Sequence, residues 1–250
     1  MAMLLKSGKR ENLSWRVYEN REAMGLASAL YAEGLIRALL DEKDEIRMIF
    51  AAAPSQAEVL ANLADSPNID WSRVTAFHMD EYIGLPPEAP QGFGNFLRRH
   101  IFDLVPLKEV HLLRDADEYA RLLNEAPIDI CCLGIGENGH IAFNDPHVAD
   151  FNDPACVKKV DLDEMCRRQQ VNDGCFATLD DVPTGALTLT IPTLFACRHL
   201  VCTVPAATKS AAVRELLERD DVDERLPATI MRRHPNATLF LDADAAREVL

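Results

Sequence analysis

Two stretches of this chain carry side chains whose types and spacing could do chemistry. The first is His78-Met79-Asp80-Glu81-Tyr82, where two carboxylates close a strand-like run. Neighbouring acids at a strand end point in different directions, so only one of them faces a cleft. A carboxylate partly removed from water has its pKa raised, which suits Asp80 to general-base work. The competing role for Asp80 is to cap the turn Gly84-Leu85-Pro86-Pro87 that follows. The second stretch is Gly134-Ile135-Gly136-Glu137-Asn138-Gly139-His140, with Asp145 five residues beyond the histidine. Its glycines permit positive φ and let backbone N–H groups come close to a ligand, which nominates Gly136 and Gly139 as binding positions. A carboxylate that accepts from an imidazole fixes its tautomer and raises its basicity, and an amide can complete the orientation. His140, Asp145 and Asn138 have those types at workable spacing; a solvated surface loop is the competing reading. A dinucleotide fingerprint also fits the three glycines, but Phe143-Asn144-Asp145-Pro146 breaks the helix that motif requires.

The elements that must position these residues follow from apolar periodicity. Trp15 to Tyr18 reads as a short strand, and from Asn20, an N-cap, leucines and Ile36 recur at helical spacing to about Lys43. Ile46 to Ala53 is a near-continuous apolar run, the pattern of a buried parallel strand, and Ser55-Gln56-Ala57-Glu58 reads as a capping box that opens a second helix. Further strands are expected at Val74 to Met79, Ile128 to Gly134, Leu200 to Val204 and Thr238 to Asp242. Helices are expected at Phe93 to Leu104, at about Thr208 to Arg219 and from Ala243 onward. This alternation predicts an α/β fold: a single open, mostly parallel, doubly wound sheet, Rossmann-like, in one domain over residues 1–250. Ligands bind beyond the carboxyl ends of strands in such sheets, which nominates Ala53-Pro54-Ser55, Met79 to Tyr82 and Gly134 to His140.

Composition narrows the classes. The chain has 250 residues, 48 % apolar and 26 % charged, so a disordered or collagen-like chain is excluded. With 26 Lys+Arg against 40 Asp+Glu the net charge is −14, which speaks against nucleic acid and anionic membranes as partners. No apolar run approaches the roughly 20 residues that span a bilayer, and Met1 to Arg10 has no secretory h-region. The seven cysteines lack zinc-finger spacing, and adjacent Cys131 and Cys132 would face opposite sides of a strand. A reduced, cytoplasmic protein without disulfides or structural zinc is expected. His147 lies near His140, but two histidines and one Asp in a loop make no convincing metal site. The pairs Arg98-Arg99, Lys158-Lys159, Arg167-Arg168 and Arg232-Arg233 read as solvated faces, any of which could reach an anion.

Phe77 to Pro86 resembles the Asp-Glu-Tyr signature of the glucosamine-6-phosphate deaminases, and Leu133 to Pro146 resembles that family's second signature. Val182-Pro183 with Ala186 to Thr190, Lys209 after the strand at 200–204, and His234 to Thr238 match in the same order, over most of the chain. The related 6-phosphogluconolactonases resemble Gly-His-Thr-Ala-Ser after the glycines, whereas Gly-His-Ile-Ala-Phe-Asn stands here. The resemblance implies an open α/β enzyme with no metal or organic cofactor. It also implies that an amino-sugar phosphate is ring-opened, isomerised and deaminated to fructose 6-phosphate and ammonia. By carry-over, Asp80 would move the proton between C2 and C1, and His140 would assist ring opening, tuned by Asn138 and Asp145. Lys209 would hold the phosphate. Asn138 stands where some members have Asp, and Asp145 replaces the usual Glu.

The phosphate end departs further from the family. A Thr-Gly-Gly-Thr turn is replaced by Ala53-Pro54-Ser55-Gln56, and a family arginine falls near Asp173-Gly174. Proline removes a backbone donor and the lost glycines restrict close approach. Ser55 could present its hydroxyl, unless the capping box uses it, and Arg167 or Arg168 could supply the missing charge. The alternatives are lactone hydrolysis, a sugar-phosphate isomerase with another substrate, and a sugar-phosphate sensor domain. Family members range from monomers to hexamers, which leaves a homo-oligomer open.

Overall fold

Two periods of apolar residues alternate along the chain, and each produces the element it demands. The structure is a computed structural model and describes residues 2–250. Eight strands form the main sheet: β1 (Leu4–Arg10), β2 (Leu13–Tyr18), β3 (Ile46–Phe50), β4 (Val74–His78), β6 (Glu109–Val110), β7 (Ile130–Leu133), β10 (His199–Val204) and β11 (Ala237–Asp242). Their order is β1-β2-β11-β10-β7-β3-β4-β6, and every neighbouring pair is parallel except the antiparallel β1–β2. The central strands are apolar on both faces because both faces are covered. Met48 and Phe50 enter the core with α1 (Arg21–Glu42), α2 (Ala57–Ala64) and α3 (Phe93–Leu97), while Ile49 between them enters the other. That second core packs against α4 (Ala116–Asn124), α6 (Ile191–Phe195) and α7 (Ser210–Glu218). Cys132 and Cys131 divide between the cores in the same way.

The order in which strands are added reverses between the parallel neighbours β3 and β7: β4 lies on one side of that seam, β10 and β11 on the other. A crevice forms at such a switch point, because successive crossovers leave on opposite faces. A second, antiparallel sheet of β5 (Asp80–Tyr82), β9 (Gly185–Leu189) and β8 (Val157–Asp161), in the order β5-β9-β8, is joined to β4 through Met79 alone. Met79 O accepts from Leu189 N–H at 2.8 Å, which holds the two sheets together there. The remaining helix, α5 (Glu164–Asn172), is opened by Asp163, whose side chain accepts from Cys166 N–H at 2.7 Å.

Several expectations are corrected. The capping box at Ser55–Glu58 does not form: Pro54–Gln56 makes a 3-10 turn, α2 begins at Ala57, and Glu58 pairs with Arg21 Nε of α1 at 2.5 Å. Beyond Ala243 the chain makes turns, with Asp242 accepting from Ala245 N–H at 2.7 Å, and no helix follows. The helix from Phe93 changes to a wider π turn at Arg98–Phe102. Arg232 is no surface residue; it is fully buried and donates to the carbonyls of Arg219, Asp220 and Asp221. α1 is long and apolar enough to cross a bilayer, contrary to the expectation that no run comes near that length. Its apolar residues serve the core here, for Met24, Ala32, Ile36 and Leu39 are all buried against the sheet.

Ile36 is completely buried in the middle of α1. Ile36→Ala should lower unfolding free energy by about 2–5 kcal/mol, from lost apolar contact and the cavity left behind. A urea melt followed by circular dichroism measures it.

Candidate active site

Four loops meet at the switch point and line a small, half-open cavity of about 60 Å³. Ala51 to Ala53, Ser55 and Gln56 come from the end of β3, and Met79 and Asp80 from the end of β4. Gly134 to Gly136 and His140 follow β7, and Lys209 follows β10. Phe93 of α3 and Gln169 and Gln170 of α5 complete the wall.

The two adjacent acids separate as strand geometry requires. Glu81 turns away from the cavity and accepts from Phe93 N–H at 3.0 Å and Gly94 N–H at 2.9 Å, satisfying the first donors of α3. Asp80 is 6 % exposed, lines the cavity, and receives no side-chain hydrogen bond from the described residues. Burial, and secondarily the neighbouring Glu81 charge, push its carboxyl well above the ordinary range. Neither acid's side chain bonds the Gly84–Pro87 turn: Glu81 caps α3, and Asp80 faces the cleft. His78, just before, is inert: its Nε2 accepts from Leu113 N–H at 2.8 Å, and burial lowers its pKa to about 4.

Across the cavity, His140 Nδ1 lies 2.7 Å from Asn138 Oδ1 and 3.1 Å from Asp145 Oδ1. Asn138 Nδ2 donates to the same Asp145 oxygen at 2.8 Å, and Asn138 Oδ1 also accepts from His140 N–H at 3.0 Å. Two acceptors at Nδ1 assign the proton to that nitrogen and leave the Nε2 lone pair free. Asp145 is fully buried; burial would raise its pKa, but hydrogen bonds and charge from His140, then Asn138, hold it low. An ionised carboxylate thus stands behind the imidazole. A Cβ at Gly136 would fall 2.1 Å from His140 Cε1, so this glycine makes room for the ring. Gly139 is corrected as a binding position: it does not line the cavity. Its φ of +82° serves the turn, and a Cβ there would meet Leu226 at 2.3 Å.

Lys209, which lines the same cavity as Asp80, is 5 % exposed, and its Nζ has no hydrogen-bond partner among the described residues. Burial lowers its pKa, opposed by the charges of Asp173 and Glu137. Ser55 lines it too, its hydroxyl accepting from Gln56 Nε2 at 3.4 Å, while Gln56 also donates to Thr203 O at 3.1 Å. Arg167 and Arg168 do not reach the cavity. Arg167 donates to the carbonyls of Val182 and Leu179, and Arg168 pairs with Glu164 at 2.6 Å on the exposed face. The residues that do reach it, Gln169 and Gln170, were not singled out from sequence. Helical phase offered the signal, because Cys166, Gln169 and Gln170 share one buried stripe at i, i+3, i+4.

Among the described residues, His140, Asp145 and Cys166 form the one group able to offer a metal three donor atoms within 4.8 Å. Two of those atoms already bond each other at 3.1 Å, and burial, then Asp145, push the Cys166 thiol up, keeping it protonated. The arrangement serves a proton relay better than a metal cage.

A switch-point cleft with a donor-free carboxylate facing an aspartate-backed histidine defines an α/β enzyme built for proton transfer. Residues 19–240 match the family described as glucosamine-6-phosphate isomerases/6-phosphogluconolactonase, and the chain belongs to that family. A glucosamine-6-phosphate deaminase of Bacillus cereus is 34 % identical over 84 % of this chain and 81 % of its own length. One from an Exiguobacterium strain is 38 % identical over 71 % of each. Among solved structures, a monomeric glucosamine-6-phosphate deaminase superposes with a TM-score of 0.82 at 25 % identity, covering 93 % of this chain and 98 % of that one. A 6-phosphogluconolactonase of Thermotoga maritima, 19 % identical over 92 % and 99 % of the two chains, shares the fold with a TM-score of 0.76.

Two expectations follow from the geometry. Gly136→Ala should displace the His140 ring and leave a folded protein with the affected activity reduced by about 10²-fold or more; near-ultraviolet dichroism and turnover check both halves. Asp80 binds its proton more tightly folded than unfolded, so its contribution to stability falls as pH rises from the ordinary carboxylate value through the raised one. Asp80→Asn should therefore melt higher than wild type at pH 7, with the gap closing in acid, as calorimetry across pH would show.

Proposed function

We propose that the protein converts an amino-sugar phosphate, glucosamine 6-phosphate, into fructose 6-phosphate and ammonia. The observation that carries this reading is the donor-free Asp80 carboxylate sharing one cavity with the His140 relay and the unpaired Lys209 ammonium. The names of the relatives support the substrate.

In this reading Lys209 and Ser55 hold the phosphate, and His140, backed by Asp145 through Nδ1, carries a proton at Nε2 to and from the ring oxygen and the C1 hydroxyl. That opens the pyranose to the aldehyde. Asp80 then takes the proton from C2, acidified by the adjacent carbonyl, and returns it to C1 of the enolamine. The resulting C2 iminium adds water and releases ammonia, leaving the ketose. The sum is one sugar phosphate and one water to one ketose phosphate and ammonia, so the reaction counts as both isomerisation and hydrolysis. A base that must give its proton back works best when its pKa has moved toward the operating pH, which is the direction burial drives Asp80. All seven cysteines are free, and five of them (Cys131, Cys132, Cys166, Cys197 and Cys202) are buried thiols, which supports a reducing, cytoplasmic setting.

Purified protein given glucosamine 6-phosphate should release ammonia and fructose 6-phosphate in equal amounts, and Asp80→Asn should lose about 10³-fold or more in kcat. The acid limb of kcat/KM should lie above the ordinary carboxylate range, with activity lost as pH falls and Asp80 is protonated. Absence of both products, at any pH, removes the deaminase reading.

A further inference from the structure

The cavity that Asp80 lines is also lined by Gln170 of α5, a residue that no motif marks. Gln170 is 7 % exposed, lines the cavity, and its side-chain amide makes no hydrogen bond with any described residue. Its amide is open to the cavity, so a ligand there meets an uncommitted N–H donor and C=O acceptor. Its position is fixed by its neighbour. Gln169 Oε1 accepts from Glu137 N–H at 3.1 Å and its Nε2 donates to Asp173 at 3.3 Å, tying the last turn of α5 to the glycine loop. Asp173 and Glu137 are also the two acids whose charge Lys209 feels most. The last turn of α5 therefore stands beside Lys209, and Gln170 enters the cavity from it. No arginine and no second lysine lines that cavity.

We propose that Gln170 is a specificity-determining residue whose amide, together with the Lys209 ammonium and the Ser55 hydroxyl, receives the phosphate of the substrate. This rests on the sugar-phosphate reading above. The amide supplies a directional N–H without a second positive charge, so the anion is held by one cation and neutral donors. Gln169 acts through the others as a positioning residue, holding α5 at the distance from which Gln170 reaches in.

Calorimetric titration with inorganic phosphate tests this without any turnover. Wild type should bind phosphate, and Gln170→Ala should weaken it by about 10-fold to 100-fold, the effect of removing one hydrogen bond to a charged group. The same factor should appear in KM for glucosamine 6-phosphate, with the loss falling on KM rather than on kcat. Gln170→Arg should bind phosphate more tightly than Gln170→Ala and at least as tightly as wild type. The proposal is overturned if wild type binds no phosphate, if Gln170→Ala binds it as wild type does, or, should that variant not fold, if Gln170→Arg binds no better than a Gln170→Leu control. Phosphate binding that depends on Gln170 in a protein that releases no ammonia would sink the deaminase reading and leave this clamp standing.

Discussion

A carboxylate kept from water and given no hydrogen-bond donor is expensive to ionise, and this site is organised around one. The contrast with the other buried acids makes the point. Glu81 is answered by backbone N–H groups of α3, Asp145 by Asn138 and His140, and Asp242 by the N–H groups of Ala206 and Ala245. Asp80 alone among these four faces the cavity unanswered. The donors that quiet the first three fix structure; withholding them from Asp80 preserves a group that gains by taking a proton.

The fold makes that arrangement affordable. β5 starts one residue after β4, so Asp80 is carried from the main sheet onto the second sheet, where pairing with Thr188 of β9 holds its backbone while its side chain overhangs the switch point. The seam between β3 and β7 supplies the space, and Gly136 supplies the approach for the His140 ring. The loops that carry the site stand on two packed cores, each built from alternate residues of the same strands.

Much of this was legible in the sequence, for reasons that can be named. The central strands announce themselves because burial on both faces leaves an unbroken apolar run, as at Ile46 to Phe50. Asp80, Asn138, His140 and Asp145 stand out because reactive side chains at strand ends occupy the place where α/β sheets bind ligands. β1 was missed because it is an edge strand whose first six residues are exposed, so no hydrophobic signal constrains it. The second sheet was missed because Val157 to Asp161 is half polar on a solvated face. Along α5, charge was a poor guide. Arg167 and Arg168 drew notice but lie off the buried stripe of α5, whereas the neutral Gln169 and Gln170 lie on it. Of the two glycines the loop nominates, Gly136 lines the cavity and Gly139 serves the turn.

The most direct measurement is proton NMR of glucosamine 6-phosphate incubated with the enzyme in D₂O. One base serving both carbons delivers to C1 either the hydrogen it took from C2 or a deuteron exchanged onto its carboxyl, so wild type should form fructose 6-phosphate with its C1 hydrogen from those two sources, and Asp80→Asn should form almost none. Fructose 6-phosphate formed by Asp80→Asn at the wild-type rate would contradict a mechanism that runs through this carboxylate.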